Sequence, residues 1–299
     1  MILLFLFPLL VSLPVQTDPE VSLGQLDIFH DFNSEYVTDR TVYVWLPESF
    51  DPELSYPVLY MHDGQMLFDS TTTWNQQEWG IDETVQRLID MNEIPPLIVV
   101  GISNISAERH ADYFPLKPFL LLNSSVRDSL LQLEQGDQPL FRNAPTSDNY
   151  LKFIISELKP FIDRQYPTVK TMEGTFIGGS SMGGLISMYA FFEYPDVFGG
   201  AACLSTHWIG GFEQNTVIPT AFQKYISARK SLIKGRKLYF DHGTETLDAY
   251  YSPHQKNVDE IFELVTDDVY LSLRYEGDAH DERSWKNRFE VPLTFLLNK

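Results

Sequence analysis

Apolar positions along the chain follow two alternating patterns. Residues 26–32 (LDIFHDF) and 41–47 (TVYVWLP) alternate apolar and polar side chains and are rich in β-branched and aromatic types, which predicts an antiparallel strand pair. Residues 57–63 (PVLYMHD) and 96–103 (PLIVVGIS) are nearly continuous apolar runs, as expected of strands covered on both faces. Residues 175–179, 200–205, 237–243 and 269–277 repeat that style. Between them, helical spacing predicts helices over 81–92, 148–166, 182–194, 217–229, 254–266 and 281–298. In 182–194, Leu185, Met188, Tyr189 and Phe192 share one face, and Pro195 ends the helix. Strand and helix in regular succession predict an α/β fold with a mainly parallel central sheet flanked by helices, as one domain over residues 24–299. Residues 104–147 break the alternation. This insert holds Arg109, Tyr113, Phe114, Phe119 and Phe141, and it predicts an ordered cap beside a site.

The turn between strand 175–179 and helix 182–194 reads GGSSMGGL, residues 178–185. A Walker A phosphate loop requires Lys and Ser or Thr where this run has Gly184 and Leu185, and the G-x-G-x-x-G spacing is absent. G-x-S-x-G fits in one register only, Gly179-Ser180-Ser181-Met182-Gly183, which puts Ser181 in the nucleophile position of a sharp strand-to-helix turn. The backbone N–H of Met182, at the N-terminus of the following helix, then faces an oxyanion. A serine nucleophile needs a base and the base an orienter, in the chain order Ser, acid, His on such a fold. His280 lies in the loop after the last strand and before the C-terminal helix, where it can reach back to the serine. The loop after strand 237–243 offers two acids, Asp248 and, as alternative, Glu245. The second oxyanion donor is expected from the loop after strand 57–63, at the N–H of Gln65 beside Gly64.

Composition narrows the partners. The 299 residues carry a formal net charge of −19, with 43% hydrophobic and 21% charged side chains. Such a surface repels phosphate backbones, so no nucleic-acid partner is expected. Residues 1–15 are almost wholly apolar and uncharged, too short for a comfortable membrane span and of the length of a signal-peptide core. No Lys or Arg precedes the run and no A-x-A site follows it. The expectation is a signal peptide at 1–17, a secreted or periplasmic chain and no stable membrane span. The lone cysteine, Cys203, forms no intrachain disulfide. Asn104-Ile-Ser106 and Asn123-Ser-Ser125 are glycosylation sequons.

Several stretches together resemble one family: LPESFDP (46–52), YPVLYMHDGQMLFD (56–69), EWGIDETV (78–85), GGSSMGGLISMYAFFEYPDVF (178–198) and GDAHDERSW (277–285). They are similar to the esterase D-like branch of α/β-hydrolases, which includes formylglutathione hydrolases, feruloyl and acetylxylan esterases, enterochelin-type siderophore esterases and mycolyltransferase antigens. The resemblance covers nearly the whole chain after about residue 25. It implies Ser181 as nucleophile, His280 as base, Gln65 and Met182 as oxyanion donors, and Trp79 near the site entrance. The family's usual acid position falls here on Thr246, so the acid loop departs from the pattern. The expectation is a serine carboxylic-ester hydrolase without metal or organic cofactor, acting on a small-molecule or glycan-linked ester. Arg109 and Trp208 are further substrate-binding candidates. An acyltransferase and a non-catalytic binding protein on the same scaffold are the rival expectations.

Overall fold

A computed structural model of the chain describes residues 17–142 and 144–298. The apolar run read as a signal peptide lies outside them, except for Thr17. Eight strands form the main sheet: β1 (Gln25–Phe32), β2 (Arg40–Leu46), β3 (Val58–His62), β4 (Ile98–Ile102), β7 (Thr175–Ser180), β8 (Gly200–Leu204), β9 (Lys237–His242) and β10 (Tyr270–Arg274). A separate two-residue hairpin, β5 (Glu134–Gln135) and β6 (Gln138–Pro139), sits in the insert. The sheet order is β1-β2-β4-β3-β7-β8-β9-β10. β1, β2 and β4 pair antiparallel, and every later neighbour pairs parallel. The expected antiparallel opening pair and parallel body are both present.

Along β2, Val42, Val44 and Leu46 enter one apolar cluster while Tyr43 and Trp45 enter another on the opposite face. The period of two therefore supplies both cores, and the sheet is covered on both sides. The parallel register aligns Ser180 with Leu204, Leu204 with Asp241, and His242 with Arg274. The C-terminal ends of these strands share one edge. From β3 the chain crosses through α1 (Ile81–Asp90) to β4 on one side, and later returns to β7 on the other. That change of direction falls between β3 and its two neighbours, the kind of switch point at whose strand ends open α/β sheets bind ligands.

Two predicted helices depart from regularity, each at a proline. The 148–166 helix runs from α5 (Ser147–Phe153) through a widened π turn at Ile154–Leu158 into α6 (Lys159–Gln165). Pro160 cannot donate to the carbonyl four residues back, and the wide turn relieves the clash of its ring. The C-terminal helix is split at Phe289 into α10 (Glu282–Arg288) and α11 (Glu290–Leu297), with Pro292 removing a bond across the junction. The 104–147 insert is ordered as a cap with α2 (Arg109–Tyr113), α3 (Leu116–Leu121) and α4 (Ser124–Leu131). Phe114 anchors it, with ring centroids 6.0 Å from Phe119, 5.5 Å from Phe141 and 5.4 Å from Phe222 of α8 (Val217–Ser227). Ahead of β1, the Ser22 and Leu23 N–H groups donate to Asp82 of α1.

A buried ion pair fastens the cap to the sheet. Arg40 donates to Asp112 at 3.1 Å, with both side chains almost wholly buried, and its guanidinium lies over the rings of Tyr150 and Phe153. Asp112→Ala leaves that guanidinium uncompensated and is expected to lower unfolding stability by about 3–5 kcal/mol. Arg87→Ala, which breaks the half-exposed pair with Glu290, is expected to cost less than about 1 kcal/mol. Urea titrations of the two variants measure the contrast.

Candidate active site

Ser181 follows the last residue of β7 and precedes α7 (Met182–Glu193), with φ 57° and ψ −120°. For a non-glycine residue this is a strained conformation, which persists only where the surroundings enforce it. They do so here: the Ser181 N–H donates to Leu204 O at 2.9 Å, and its carbonyl accepts from Leu185 N–H at 3.1 Å and His207 N–H at 3.2 Å. The flanking glycines permit the close packing this turn requires. A Cβ on Gly179 would stand 3.1 Å from the Gly183 carbonyl carbon, and one on Gly183 would stand 3.3 Å from His62 Cβ. Ser181 remains partly exposed. Met182 is the first residue of α7, so its N–H has no partner within the helix.

The loop after β3 approaches the elbow from the neighbouring strand. Asp63 adopts a left-handed backbone, φ 57° and ψ 44°, and turns the chain into a 3-10 turn over Gly64–Met66. A Cβ on Gly64 would lie 2.6 Å from the carbonyl carbon of Gly101, so this turn rests directly on β4. The Asp63 carboxylate accepts two hydrogen bonds from Arg109, at 2.8 and 2.7 Å, and one from the Asn104 amide at 2.6 Å. Burial alone would raise the pKa of Asp63; the Arg109 charge and these hydrogen bonds outweigh it and hold the carboxyl below the usual range. Gln65 accepts from Asn104 N–H through its side chain at 3.1 Å, and its own backbone N–H takes no part in the hydrogen bonds of the loop. Asn104, noted in the sequence as a glycosylation sequon, uses its side-chain amide to hold this turn.

Asp248 is fully buried, and its Oδ1 lies 2.6 Å from His280 Nδ1. Its Oδ2 accepts from Ser205 Oγ at 2.6 Å and from Gly243 N–H at 2.6 Å. Burial pushes the pKa of Asp248 up, but the hydrogen bond and charge of His280, with the Ser205 and Gly243 donors, bring it below the ordinary carboxylate value. Glu245, the alternative acid, is exposed and makes no side-chain contact with His280. The departure at Thr246 has a structural reason. Thr246, at φ 53°, opens a 3-10 turn over Thr246–Tyr250, and its hydroxyl accepts from His280 N–H at 2.8 Å. The turn carries Asp248 back beneath the imidazole while Thr246 fixes the loop that bears it. The imidazole is held edge-on by the rings of Trp285 at 5.1 Å and Tyr251 at 5.7 Å. Tyr251 in turn bonds His207 Nδ1 at 2.7 Å, and His207 N–H donates to Ser181 O, which links His280 to the Ser181 turn through two residues.

Other candidates lie elsewhere. Trp79 is 3% exposed and stacked on Trp285 at 5.5 Å, so it is packed behind the ring that supports His280 rather than at an entrance. Trp208 is 1% exposed, donates to Gln255 at 3.0 Å and packs on Phe240, so it is core. Large indoles with a satisfied N–H gain most from complete burial. Phe114, Phe119 and Phe141 are likewise buried in the cap. Arg109 is partly exposed, and its bidentate pair with Asp63 makes it a brace for the loop. Sequence reasoning missed Ser205, Arg288 and Asp63. The one signal available for Ser205 was its place directly after β8, at the same sheet edge as Ser181.

Comparison with known proteins places the chain in a family. A family profile described as "Putative esterase" matches residues 34–246, well over half of the chain. The chain belongs to this esterase family. Among curated relatives, the Bacillus subtilis ferri-bacillibactin esterase BesA is 27% identical over 183 residues, spanning 57% of this chain and 55% of that protein. The esterase-family chain spans little more than half the length of the curated relatives it matches. Among solved structures, the BES protein from Bacillus cereus superposes with a TM-score of 0.68 at 17% identity, over 95% of this chain and 100% of that one. A ferulic acid esterase gives 0.63 at 19% identity, over 91% and 98%. The fold is that of the α/β-hydrolases. No helix among the described residues is long and apolar enough to cross a membrane.

Because the native pKa of Asp248 is depressed, its contribution to stability is complete above the unfolded carboxyl value of about 3.9 and is lost as pH falls through the lower native value. The unfolding free energy of the wild type is therefore expected to fall more steeply below about pH 4 than that of Asp248→Asn. Denaturant midpoints at stepped pH values read this difference.

Proposed function

We propose that the chain is a serine carboxylic-ester hydrolase that works through an acyl-enzyme on Ser181. The observation that carries this is the 2.6 Å bond from His280 Nδ1 to the buried Asp248, at the same sheet edge as the strained Ser181 elbow. With Nδ1 engaged as a donor, Nε2 is left unprotonated and serves as the base. His280 takes the Ser181 proton as Oγ attacks the ester carbonyl, and the two atoms meet in the substrate complex. The N–H groups of Met182 and Gln65 receive the developing oxyanion. The alcohol leaves with the proton from His280, and water, activated by the same base, releases the acid. Asp248 holds the tautomer and supports the imidazolium.

The substrate in this proposal is an extracytoplasmic ester, of the siderophore type or linked to carbohydrate. The named activity of BesA and of the ferulic acid esterase supports that choice, as does the apolar N-terminal run read as a signal peptide at 1–17. The protein is then secreted or periplasmic.

Ser181→Ala is expected to lower kcat on aryl acyl, feruloyl, acetyl-sugar and siderophore-lactone esters by at least about a thousandfold. Ser180→Ala, one residue away in the wrong register, is expected to keep activity within a few-fold. Steady-state kinetics on this panel identifies the preferred ester and separates the two serines. Full turnover by Ser181→Ala overturns the proposal.

A further inference from the structure

The hydroxyl of Ser205 sits where three polar groups converge, with no access to solvent. Its Oγ lies 2.9 Å from Trp285 Nε1 and 2.8 Å from Arg288 Nη2. Both are donors only, so they occupy the acceptor capacity of the oxygen and leave its single hydrogen one direction. That direction is Asp248 Oδ2, at 2.6 Å. The arrangement is therefore proton-ordered, each hydrogen having one possible acceptor.

We infer that Ser205 is a positioning residue for the triad acid, its hydroxyl proton fixed on Asp248 by Trp285 and Arg288 so that the other carboxylate oxygen is held against His280. The inference rests on the proposed role of Asp248. Gly243 N–H is the second donor on the same Oδ2, at 2.6 Å. Together the two hold one oxygen in place and present the other to the imidazole.

The backbone supports the same role. Ser205 has φ 42°, a region unfavourable for a side chain, and is held there by its N–H, which donates to Asp241 O at 2.8 Å and Asp241 Oδ1 at 3.2 Å. A glycine would adopt this conformation without strain. What the strained serine supplies here, and an unstrained glycine would not, is its hydroxyl. The charged groups facing Asp248 are His280, Arg288 at 3.9 Å, and, across that guanidinium, Asp241 and Asp278. The hydroxyl of Tyr251 also feels the Asp248 charge.

Two variants separate positioning from structure. Ser205→Gly removes the hydroxyl and relieves the backbone, while Ser205→Ala removes the hydroxyl and keeps the strain. Both are expected to lower kcat about tenfold with KM little changed. Losing a donor leaves more negative charge on Asp248 to attract a proton on His280, so the acid limb of the kcat/KM–pH profile is expected to move to higher pH in both. Thermal melts should rank Ser205→Gly above Ser205→Ala. Equal kinetic losses despite unequal stability support positioning. Activity that tracks stability, or a variant with wild-type kcat and an unmoved acid limb, overturns it. If only one variant folds, its kcat and acid limb decide the matter. A wild type that is active alongside equally active variants refutes the role of Ser205 alone. A wild type inert on every ester refutes the Ser181 reading and this inference with it.

Discussion

Asp248 is a carboxylate without access to water, and the C-terminal part of the fold is arranged around that condition. An ionised group removed from solvent is tolerated only when donors and countercharges replace its hydration. Here Ser205 from the end of β8, Gly243 from the end of β9 and His280 from the loop after β10 each give one hydrogen bond. Arg288 of α10 stands behind them, in contact with Ser205, Asp241 and Asp278. Two carboxylates near one guanidinium respond in opposite directions. Burial dominates at Asp241 and raises its pKa, whereas the three donors hold that of Asp248 down. The carboxyl bonded to the imidazole is thereby the one whose surroundings favour its ionised form.

The Ser181 side is governed first by packing. Gly179 and Gly183 meet at the elbow, and Gly64 rests on the backbone of Gly101, so the N-terminus of α7 and the loop after β3 come close at one sheet edge. Arg109 then extends charge control to this side. It begins the first helix of the cap and braces Asp63, while Arg40 ties Asp112 of the same helix to β2. The cap is therefore joined to the body through both ends of a short helix, and its aromatic residues serve that attachment. Helix α2 thereby touches both the loop after β3 and β2.

The antiparallel opening pair and the parallel body were legible in the sequence because each rests on local pattern: period-two alternation in β2 and continuous apolar runs in β3 and β4. One register of G-x-S-x-G singled out Ser181, and chain order singled out His280, as candidates. The acid was less legible, because Asp248 and Glu245 are both loop carboxylates, and only the 3-10 turn begun by Thr246 buries one and leaves the other in solvent. Trp79 and Trp208 were misplaced for a related reason: an indole looks the same in sequence whether it faces a ligand or a core. Ser205 offered only its place after β8, since the groups that bond it are a tryptophan and an arginine some eighty residues later in the chain.

The most direct test is to look for the covalent intermediate. Wild-type protein mixed with an aryl ester of slow deacylation should gain the mass of one acyl group in intact-mass spectra. Peptide mapping should place it on Ser181, and the adduct should accumulate more slowly in Asp248→Asn. Turnover of the ester with no acyl adduct on Ser181, under conditions where release is rate-limiting, would contradict the assignment of this serine as the nucleophile.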